Sequence, residues 1–307
     1  MDRLEAMRVF VAVVEAGSLS AAARKLGAPL PTVSRKLSEL ETHLGTRLLT
    51  RTTRKLTLTA AGSTYVVAAR RIVEEIGEAE RAAAGEYSTP RGELVITAPV
   101  VFGRLHVVPV ITDFLAQFPE IDVRLVLSDR NIHLIDDQID MAVRIGALPD
   151  SSLLATRVGA VRRIVCASPA FLAAHGAPAK PADLSALACV TFEFQSAAAA
   201  WNFPSPKGRG EISVPIRSRL AANTAEAAID AAVAGVGVTR VLSYQAFDAL
   251  AAGKLQIVLR NFEPDPLPVH LLHTGDGLLP LKIRSFLDFA APRLRDRLTR
   301  VAPPDAR

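Results

Sequence analysis

The break at residues 88–92, Ser-Thr-Pro-Arg-Gly, constrains the fold most, because it separates two kinds of hydrophobic pattern. Before it, apolar residues recur every three or four positions, as on helices that bury one face. After it, short runs rich in Val, Ile and Leu alternate with helical patterns, which is typical of an α/β unit. We therefore expect a helical N-terminal module joined to a larger α/β domain with mostly parallel sheets.

The N-terminal module begins with three short helical patterns that end at Gly17, Gly27 and Gly45. A short helix, a glycine-containing turn and a following helix form a helix-turn-helix, whose later helix lies in the DNA major groove. After the third pattern, Thr and Leu alternate around a cationic tip in residues 48–58, which predicts a small two-stranded hairpin, or wing.

The positive charge is concentrated in this module. Residues 1–71 contain 12 Lys and Arg against 5 Asp and Glu, whereas residues 91–307 contain 23 against 21. Such a local excess of Lys and Arg favours the binding of a polyanion. An ordinary solvated hairpin is the alternative reading of the wing, but its position directly after a helix-turn-helix favours DNA. We predict DNA contacts from Ser20, Leu30, Pro31, Thr32, Ser34, Arg35, Lys36, Arg51, Thr52, Thr53, Arg54 and Lys55.

A long helical pattern follows between residues 59 and 87. Its apolar stripe suggests that the helix packs against a second copy of the chain, with a solvated single helix as the alternative. The predicted dimerisation residues are Val66, Ala69, Val73, Ile76 and Ala83.

Beyond the break, strand patterns alternate with helical ones. The candidate strands are 93–98, 122–127, 140–144, 163–167, 188–194, 213–220, 237–241, 255–259 and 269–272. The candidate helices are 105–118, 169–174, 224–235, 244–252 and 281–298.

No residue pattern in this domain indicates catalysis or a bound cofactor. Gly235-Val236-Gly237 follows a helix and lacks the third glycine of a dinucleotide-binding fingerprint. His270 and His273 fall on opposite faces of a strand, which disfavours a shared metal. Asp136, Asp137 and Asp140 have no evident nucleophile beside them and read as a solvated helix end. We expect neither enzyme activity, nor a metal, nor a cofactor.

The cysteines and the apolar segments favour the cytoplasm. Cys166 and Cys189 lack metal or redox spacing and suit a reducing compartment, as buried structural thiols. No charge-free run approaches the roughly 18 apolar residues of a membrane span, and no signal-peptide pattern is present.

Several segments resemble LysR-type transcriptional regulators. In the N-terminal module these are residues 18–26, 31–41, 44–54 and 58–62; Asp140–Gly146 and Ala231–Val238 resemble the regulatory-domain signatures of that family. The resemblance covers essentially the whole chain. It departs at Pro29, where the family usually has a hydroxylated helix cap, and at Leu49, which is commonly Phe.

The resemblance implies three parts. These are a winged helix-turn-helix in residues 1–58, a linker and dimerisation helix in 59–90, and an effector-binding domain in 91–302 that is similar to periplasmic binding proteins. Lobe I would comprise about 91–163 and 268–302, and lobe II about 164–267. The expected partners are double-stranded DNA with a dyad-symmetric operator, a small-molecule effector, a second copy of the chain in a homodimer or homotetramer, and RNA polymerase as a candidate.

Effectors of such α/β lobes bind beyond the carboxyl ends of the strands. The apolar loop at residues 99–101, where family members often have hydroxyls, suits an aromatic or aliphatic part of a ligand. Helix capping, core packing and a structural ion pair are the alternative roles. The predicted effector-binding residues are Pro99, Val100, Val101, Phe102, Ser128, Arg144, Ile145, Gly146, Phe194, Gln195, Asn223 and Thr224.

The resemblance makes a ligand-responsive, DNA-binding transcriptional regulator the expected function. The competing reading is a solute-binding or enzymatic α/β protein whose N-terminal helices mediate assembly. Duplex binding by the N-terminal module discriminates between the two.

Overall fold

The computed structural model describes residues 2–51, 56–83, 89–130, 134, 139–148, 153–192, 200–205, 208, 210–274 and 279–301. The chain forms two compact units, Met1–Thr89 and Pro90–Arg307.

The first unit packs short helices around an apolar core. Its elements are α1 (Arg3–Ala16), α2 (Leu19–Leu26), α3 (Leu30–Leu44), β1 (Leu49–Arg51), β2 (Leu56–Leu58) and α4 (Ala60–Ala83). Asp2 and Ser18 cap α1 and α2 by accepting backbone N–H bonds from Glu5 and Ala21. The glycines that follow α1, α2 and α3 are left-handed, as helix C-caps commonly are.

One carboxylate joins the third helix of this unit to the hairpin. Glu41 Oε1 on α3 accepts the backbone N–H groups of Leu48 and Leu49, at 2.8 and 3.1 Å. Leu48 and Leu49 are buried with Phe10, Leu37 and Leu40 in the core of the unit. The hairpin is therefore fixed to the helix-turn-helix both by packing and by charge-assisted hydrogen bonds.

The second unit contains two α/β lobes. Its strands are β3 (Gly92–Ala98), β4 (Ile121–Leu127), β5 (Met141–Ile145), β6 (Leu153–Val161), β7 (Arg163–Ala167), β8 (Ala188–Thr191), β9 (Ala200–Pro204), β10 (Glu211–Pro215), β11 (Arg217–Ala221), β12 (Val238–Leu242), β13 (Gln256–Val258) and β14 (Leu267–Thr274). Its α-helices are α5 (Val100–Phe102), α6 (Val108–Gln117), α7 (Pro169–His175), α8 (Ala225–Val233), α9 (Phe247–Ala251) and α10 (Leu281–Val301). A π-helical turn, Gly103–Val107, joins α5 to α6, and 3₁₀ turns cover Pro181–Ala186 and Arg260–Phe262.

Each lobe has its own sheet among the described residues. Lobe I has the strand order β4-β3-β5-β14-β6, and lobe II has β11-β8-β12-β7-β13. The chain crosses between the lobes twice, from β6 to β7 and from β13 to β14. The aromatic core of lobe I lies between its sheet and helices α6 and α10, where Phe114 meets Phe286 and Phe289 edge to face.

The sheets are mixed, which corrects the expectation of mostly parallel pairing. Strand β3 pairs in parallel with β4 and β5, but β14 runs antiparallel to β5 and β6. In lobe II, β8 pairs in parallel with β11 and β12, whereas β7 runs antiparallel to β12 and β13. The antiparallel pairs involve the strands beside the two crossings, where the chain enters a sheet from the other lobe.

The structure also adds and divides strands. Residues 153–161 and 200–204 are strands that the sequence analysis did not assign. The single strand expected over 213–220 is two, β10 and β11, which belong to different sheets. Pro215 ends β10, and proline cannot donate to a ladder in mid-strand.

Candidate nucleic-acid and ligand interfaces

Helix α3 presents a buried face and an exposed face. Val33, Leu37 and Leu40 are buried in the unit's core. On the exposed side, Leu30, Pro31 and Arg35 are open to solvent, while Thr32, Ser34 and Lys36 are half-buried. Ser20, on α2, is also exposed. The predicted DNA contacts that the structure describes thus lie at the surface, and none is enclosed in the core.

The cations of α3 are held to different degrees. Lys36 Nζ lies 2.8 Å from Glu5 Oε1 of α1. The Arg35 side chain is 70% exposed, and its Nη1 lies 3.8 Å from Glu39 Oε1 on the same helix. Exposed pairs of this kind are weak, so Arg35 is the more available cation for phosphate. Through its ion pair with Glu5, Lys36 also joins α1 to α3.

The hairpin lies directly beside the core. Strands β1 and β2 pair antiparallel, with Leu49 opposite Leu58 and Arg51 opposite Leu56. Thr52, Thr53, Arg54 and Lys55 lie outside the described residues. Gly62 of α4 packs so closely that a Cβ there would collide with the Leu48 carbonyl oxygen. This glycine lets α4 start against the hairpin.

The apolar stripe of α4 is divided between two environments. Val66 and Ala69 are buried in the core of their own unit, where α4 packs on α1. Val73 and Ile76 are half-buried, and the side chain of Ala83 is not described. Within one chain, α1 therefore covers the stripe at Val66 and Ala69, and helical periodicity alone does not say what covers it. Ile72, which the stripe did not include, is 37 % exposed.

In lobe I, the carboxyl ends of β3 and β4 meet. Ser128 N donates to Ala98 O at 3.0 Å. Asp129 Oδ1 accepts the N–H of Val100 at 3.0 Å, where the helix after β3 begins. A carboxylate of the chain itself therefore binds the first amide of this helix, which would otherwise attract an anion. The same rule about strand ends that selected Ser128 would have found Asp129, one residue later.

The apolar loop after β3 turns inward. Pro99 and Val100 are half-exposed, but Val101 and Phe102 are buried in the lobe I core. Phe102 packs edge to face on Tyr244 of lobe II, with ring centroids 5.3 Å apart. Burial, together with the negative charge of Asp129, raises the pKa of Tyr244. Val101 and Phe102 are thus packed within the lobe I core in this structure, and their role as ligand contacts stays a prediction.

His106 is a buried polar residue beside this contact. It lies in the π-helical turn, 4.8 Å from the Phe102 ring and 5.5 Å from the Tyr244 ring. Neither ring nitrogen has a hydrogen-bond partner among the described residues. Burial, with the nearby positive charge of Arg297, lowers the pKa of His106 to about 4. The imidazole is therefore neutral at neutral pH.

Several of the other predicted effector residues have structural roles within their own lobe. The Thr224 hydroxyl caps α8 by accepting the Ala227 N–H, and Asn223 beside it is exposed. Arg144 is half-buried, and burial lowers its pKa. Ile145 packs on the lobe I core, and Gly146 has φ 109° while its N–H donates to Pro268 O. Phe194 and Gln195 lie outside the described residues.

Ion pairs that no sequence pattern indicated connect the lobes. Arg104 of the π-helical turn lies 3.3 Å from Glu226 of α8. Arg162, on the first crossing, binds Glu263, on the second, through two hydrogen bonds of 2.7 Å. This second pair is mostly buried, and a bidentate pair of this kind fixes geometry strongly.

Asp140, the first residue of the Asp140–Gly146 segment, has a structural role. The sequence analysis interpreted it instead as part of a solvated helix end. Its carboxylate accepts the Val95 N–H at 2.8 Å and lies 3.7 Å from Lys282 Nζ. Lys282 is itself buried and donates to the Glu93 carbonyl oxygen. Asp136 and Asp137 lie outside the described residues.

The thiols are unsuited to redox chemistry. Burial raises the pKa of Cys166 and of Cys189 to about 12, so neither is a thiolate at neutral pH. The described residues contain no group of three His, Cys, Asp or Glu side chains placed to hold a metal ion.

Among the described residues, the helical stretch Val100–Gln117 is long and apolar enough to cross a membrane. Helices α1 and α2 together have the same length and apolar character, but the pair is bent by 120°. Val100–Gln117 packs in the lobe I core through residues such as Phe102, Val110 and Phe114, which explains its apolar character.

Two surface hollows lie outside the predicted ligand site. One, of about 420 Å³, is lined by residues of α6 and α10, and the other, of about 260 Å³, lies between α1 and α4. Neither is lined by a predicted effector-binding residue.

Comparisons with known proteins agree over both units. Residues 4–63 match the bacterial regulatory helix-turn-helix protein, lysR family, and residues 88–295 match the LysR substrate binding domain. An HTH-type transcriptional regulator of Xanthomonas campestris is 36% identical over 290 residues, 93% of this chain and 84% of that protein. An HTH-type transcriptional repressor of Pseudomonas aeruginosa is 35% identical over 289 residues, 94% and 91% of the two chains. The structure of CrgA, a LysR-type transcriptional regulator from Neisseria meningitidis, is 32% identical with a TM-score of 0.60, covering 94% of this chain and 98% of that one.

Proposed function

The chain belongs to the LysR family of transcriptional regulators, and from that premise we propose how its own residues bind DNA and an effector. Helix α3 and the β1–β2 hairpin bind a dyad-symmetric operator as paired copies, and a small molecule bound between the two lobes modulates this binding. The fold class and the regulator function are those expected from the sequence. The comparisons favour them over the solute-binding or enzymatic alternative.

The observation that carries the DNA-binding proposal is the two-sided character of α3. Its buried face fixes the helix on the core, and its outer face offers the hydroxyls of Thr32 and Ser34 together with the exposed Arg35. Short hydroxyls suit base edges, and a long cation suits phosphate. Arg51, Thr52, Thr53, Arg54 and Lys55 of the hairpin remain predicted contacts to phosphate or the minor groove.

The oligomer we propose is a homodimer formed through α4, because two-fold symmetry is what a dyad operator requires. Since α1 already covers Val66 and Ala69, the seam uses the more exposed part of the helix, including Ile72, Val73 and Ile76. We also propose that the dimers can assemble into a homotetramer, that the protein contacts RNA polymerase and that it is located in the cytoplasm.

The effector site we propose is the region beyond the carboxyl ends of the lobe strands. Pro99, Val100, Ser128 and Asn223 reach its surface, and Arg144 lies at the end of β5. Val101, Phe102 and Tyr244 pack beneath. Because Asp129 accepts the hydrogen bond of the first helix amide, an anionic group of the effector would bind Arg144 instead.

The DNA-binding test is selection of bound duplexes from random sequence, followed by titration at several salt concentrations. The expected result is one dyad-symmetric site. Arg35→Ala should weaken binding to all sequences and reduce the slope of log affinity against log salt by about 2 per dimer, one phosphate per copy. Thr32→Ala and Ser34→Ala should change sequence preference instead. Arg124→Ala, an exposed arginine of the other unit, is the control.

The effector test is a metabolite screen that monitors the thermal unfolding of the full-length protein. We expect a ligand that raises the Tm and changes operator affinity, with both effects lost in Arg144→Gln and kept in Arg124→Gln. A protein that binds its operator but responds to no ligand would be a constitutive regulator, and the effector proposal would then be wrong.

A further inference from the structure

The leading tip of α3 is apolar. Leu30, the first residue of the helix, is 43% exposed, and Pro29 and Pro31 on either side of it are exposed as well. A single exposed leucine is ordinary on a protein surface. Leu30 differs because it stands at the end of the helix that, in a helix-turn-helix, makes base contacts through its N-terminal residues.

Polar recognition is scarce at this tip. Pro29 is the N-cap residue and makes no side-chain cap bond, and Pro31 has no backbone N–H. The first hydroxyls along the helix are those of Thr32 and Ser34, both half-buried. A base edge that meets the side chains of residues 29–31 therefore contacts hydrocarbon only. In the major groove, the base-edge group that an apolar side chain contacts is the C5-methyl of thymine.

The tip is also rigid. The backbone N–H groups of Thr32 and Val33 both donate to the Pro29 carbonyl oxygen, at 2.9 and 3.2 Å. The pyrrolidine rings restrict the backbone on both sides of Leu30. Because the backbone is already fixed, binding requires no backbone ordering here, so even a small apolar contact contributes to sequence preference.

We propose that Leu30 is a specificity-determining residue that contacts the C5-methyl group of one thymine in each half-site of the operator. This inference rests on the proposed DNA-binding function. It assigns to Leu30 the reading of T·A at one position, and leaves the hydrogen-bonded readout to the residues that follow.

The test removes the methyl group from the DNA rather than from the protein. Each thymine of the selected operator is replaced by uracil, symmetrically in both half-sites, and the affinity of the full-length protein is measured. At one thymine position per half-site, uracil should weaken binding about four-fold per half-site, the loss expected for one buried methyl. At the other thymines, uracil should have little effect.

Leu30→Ala should bind the thymine operator as weakly as the wild-type protein binds the uracil operator, and should no longer distinguish the two. Leu30→Met, which keeps an apolar side chain of similar reach, should still distinguish them. Leu44→Ala is the matched control, because Leu44 is 36% exposed at the opposite end of the same helix. It should keep the wild-type discrimination.

Two results would overturn the inference. One is an operator at which no thymine position is sensitive to uracil, and the other is a sensitivity that survives in Leu30→Ala, since another residue would then read the methyl. Both leave DNA binding intact. A failure of the wild-type protein to bind any duplex would instead refute the proposed function itself. The uracil scan of the wild-type protein can refute the inference by itself, even where a variant fails to fold.

Discussion

At the scale of single residues, His106 lowers the stability of the contact between the lobes, because it is a buried polar side chain. It is buried between Phe102 and Tyr244, and its ring nitrogens have no partner among the described residues. Leaving a buried donor or acceptor unpaired costs about 1–3 kcal/mol. Charging the ring as well would add a desolvation penalty, which is why its pKa falls to about 4.

This burial predicts a pH-dependent stability. Between pH 6.5 and 4 the unfolded chain binds a proton at His106 that the folded chain does not, so stability falls as the pH is lowered through this window. The full loss is about 3 kcal/mol. Urea unfolding of the full-length protein at pH values from 7.5 to 4 measures it.

The variants separate His106 from other histidines. His106→Phe keeps an aromatic ring in the cluster and should flatten the slope of stability against pH across this window. His175→Gln, which removes an exposed histidine of the same unit, provides the comparison variant. An equal slope in wild type and His106→Phe would contradict the assignment.

At the scale of elements, a cation holds the β9–β10 hairpin onto the lobe II sheet. Arg240 of β12 lies 5.3 Å from the ring centre of Trp201 and 5.8 Å from that of Phe203. Its Nη1 also donates to the Asn202 carbonyl oxygen at 2.9 Å. Because Arg240 is only half-buried, its cation–π contacts contribute about 0.5–1 kcal/mol, in addition to the apolar packing of Trp201 and Phe203 in the lobe II core.

Trp201 is the chain's single tryptophan, so its fluorescence reports the docking directly. Arg240→Ala should shift the emission to longer wavelength and increase quenching by acrylamide. Arg240→Lys, which keeps the charge but loses the planar guanidinium, should give an intermediate effect. Arg217→Ala, on the exposed β11, should change neither signal. Identical emission in Arg240→Ala and wild type would show that apolar packing alone holds the hairpin.

At the scale of the whole molecule, the Arg162–Glu263 pair ties together the two chain crossings between the lobes. Side-chain exposure is 19% for Arg162 and 10% for Glu263. Removing one partner of a buried pair leaves the other charge uncompensated, which costs about 3–5 kcal/mol. Breaking the pair should therefore destabilise the effector domain at the point where both crossings meet.

Glu263→Gln should lower the free energy of unfolding of the effector domain by about 3 kcal/mol. The exposed Arg124–Glu93 pair supplies the control, and Glu93→Gln should cost less than about 1 kcal/mol. Urea unfolding measures both. Because Glu263 lies on a crossing between the lobes, its variant should also change the response to a bound effector, which operator titration with and without ligand measures. A cost no larger than that of Glu93→Gln would contradict a structural role for the buried pair.

The sequence by itself determined the N-terminal helix-turn-helix, the domain break, the positions of most strands and the family. These features depend on local signals, such as glycine after a helix, hydrophobic periodicity and dense motifs. Each such signal is contained in a short stretch of sequence. The outer face of α3 was predicted for the same reason, because helical spacing separates Thr32, Ser34 and Arg35 from Val33 and Leu37.

Only the tertiary structure decided what covers each apolar face and which distant charges meet. Periodicity marked the stripe of α4 but could not show that α1 buries Val66 and Ala69. It could not place Phe102 against Tyr244, or Arg162 against Glu263, which are about a hundred residues or more apart along the chain. Such contacts depend on how the chain crosses between sheets, and the free energy of a buried side chain depends on its neighbours in space rather than in sequence.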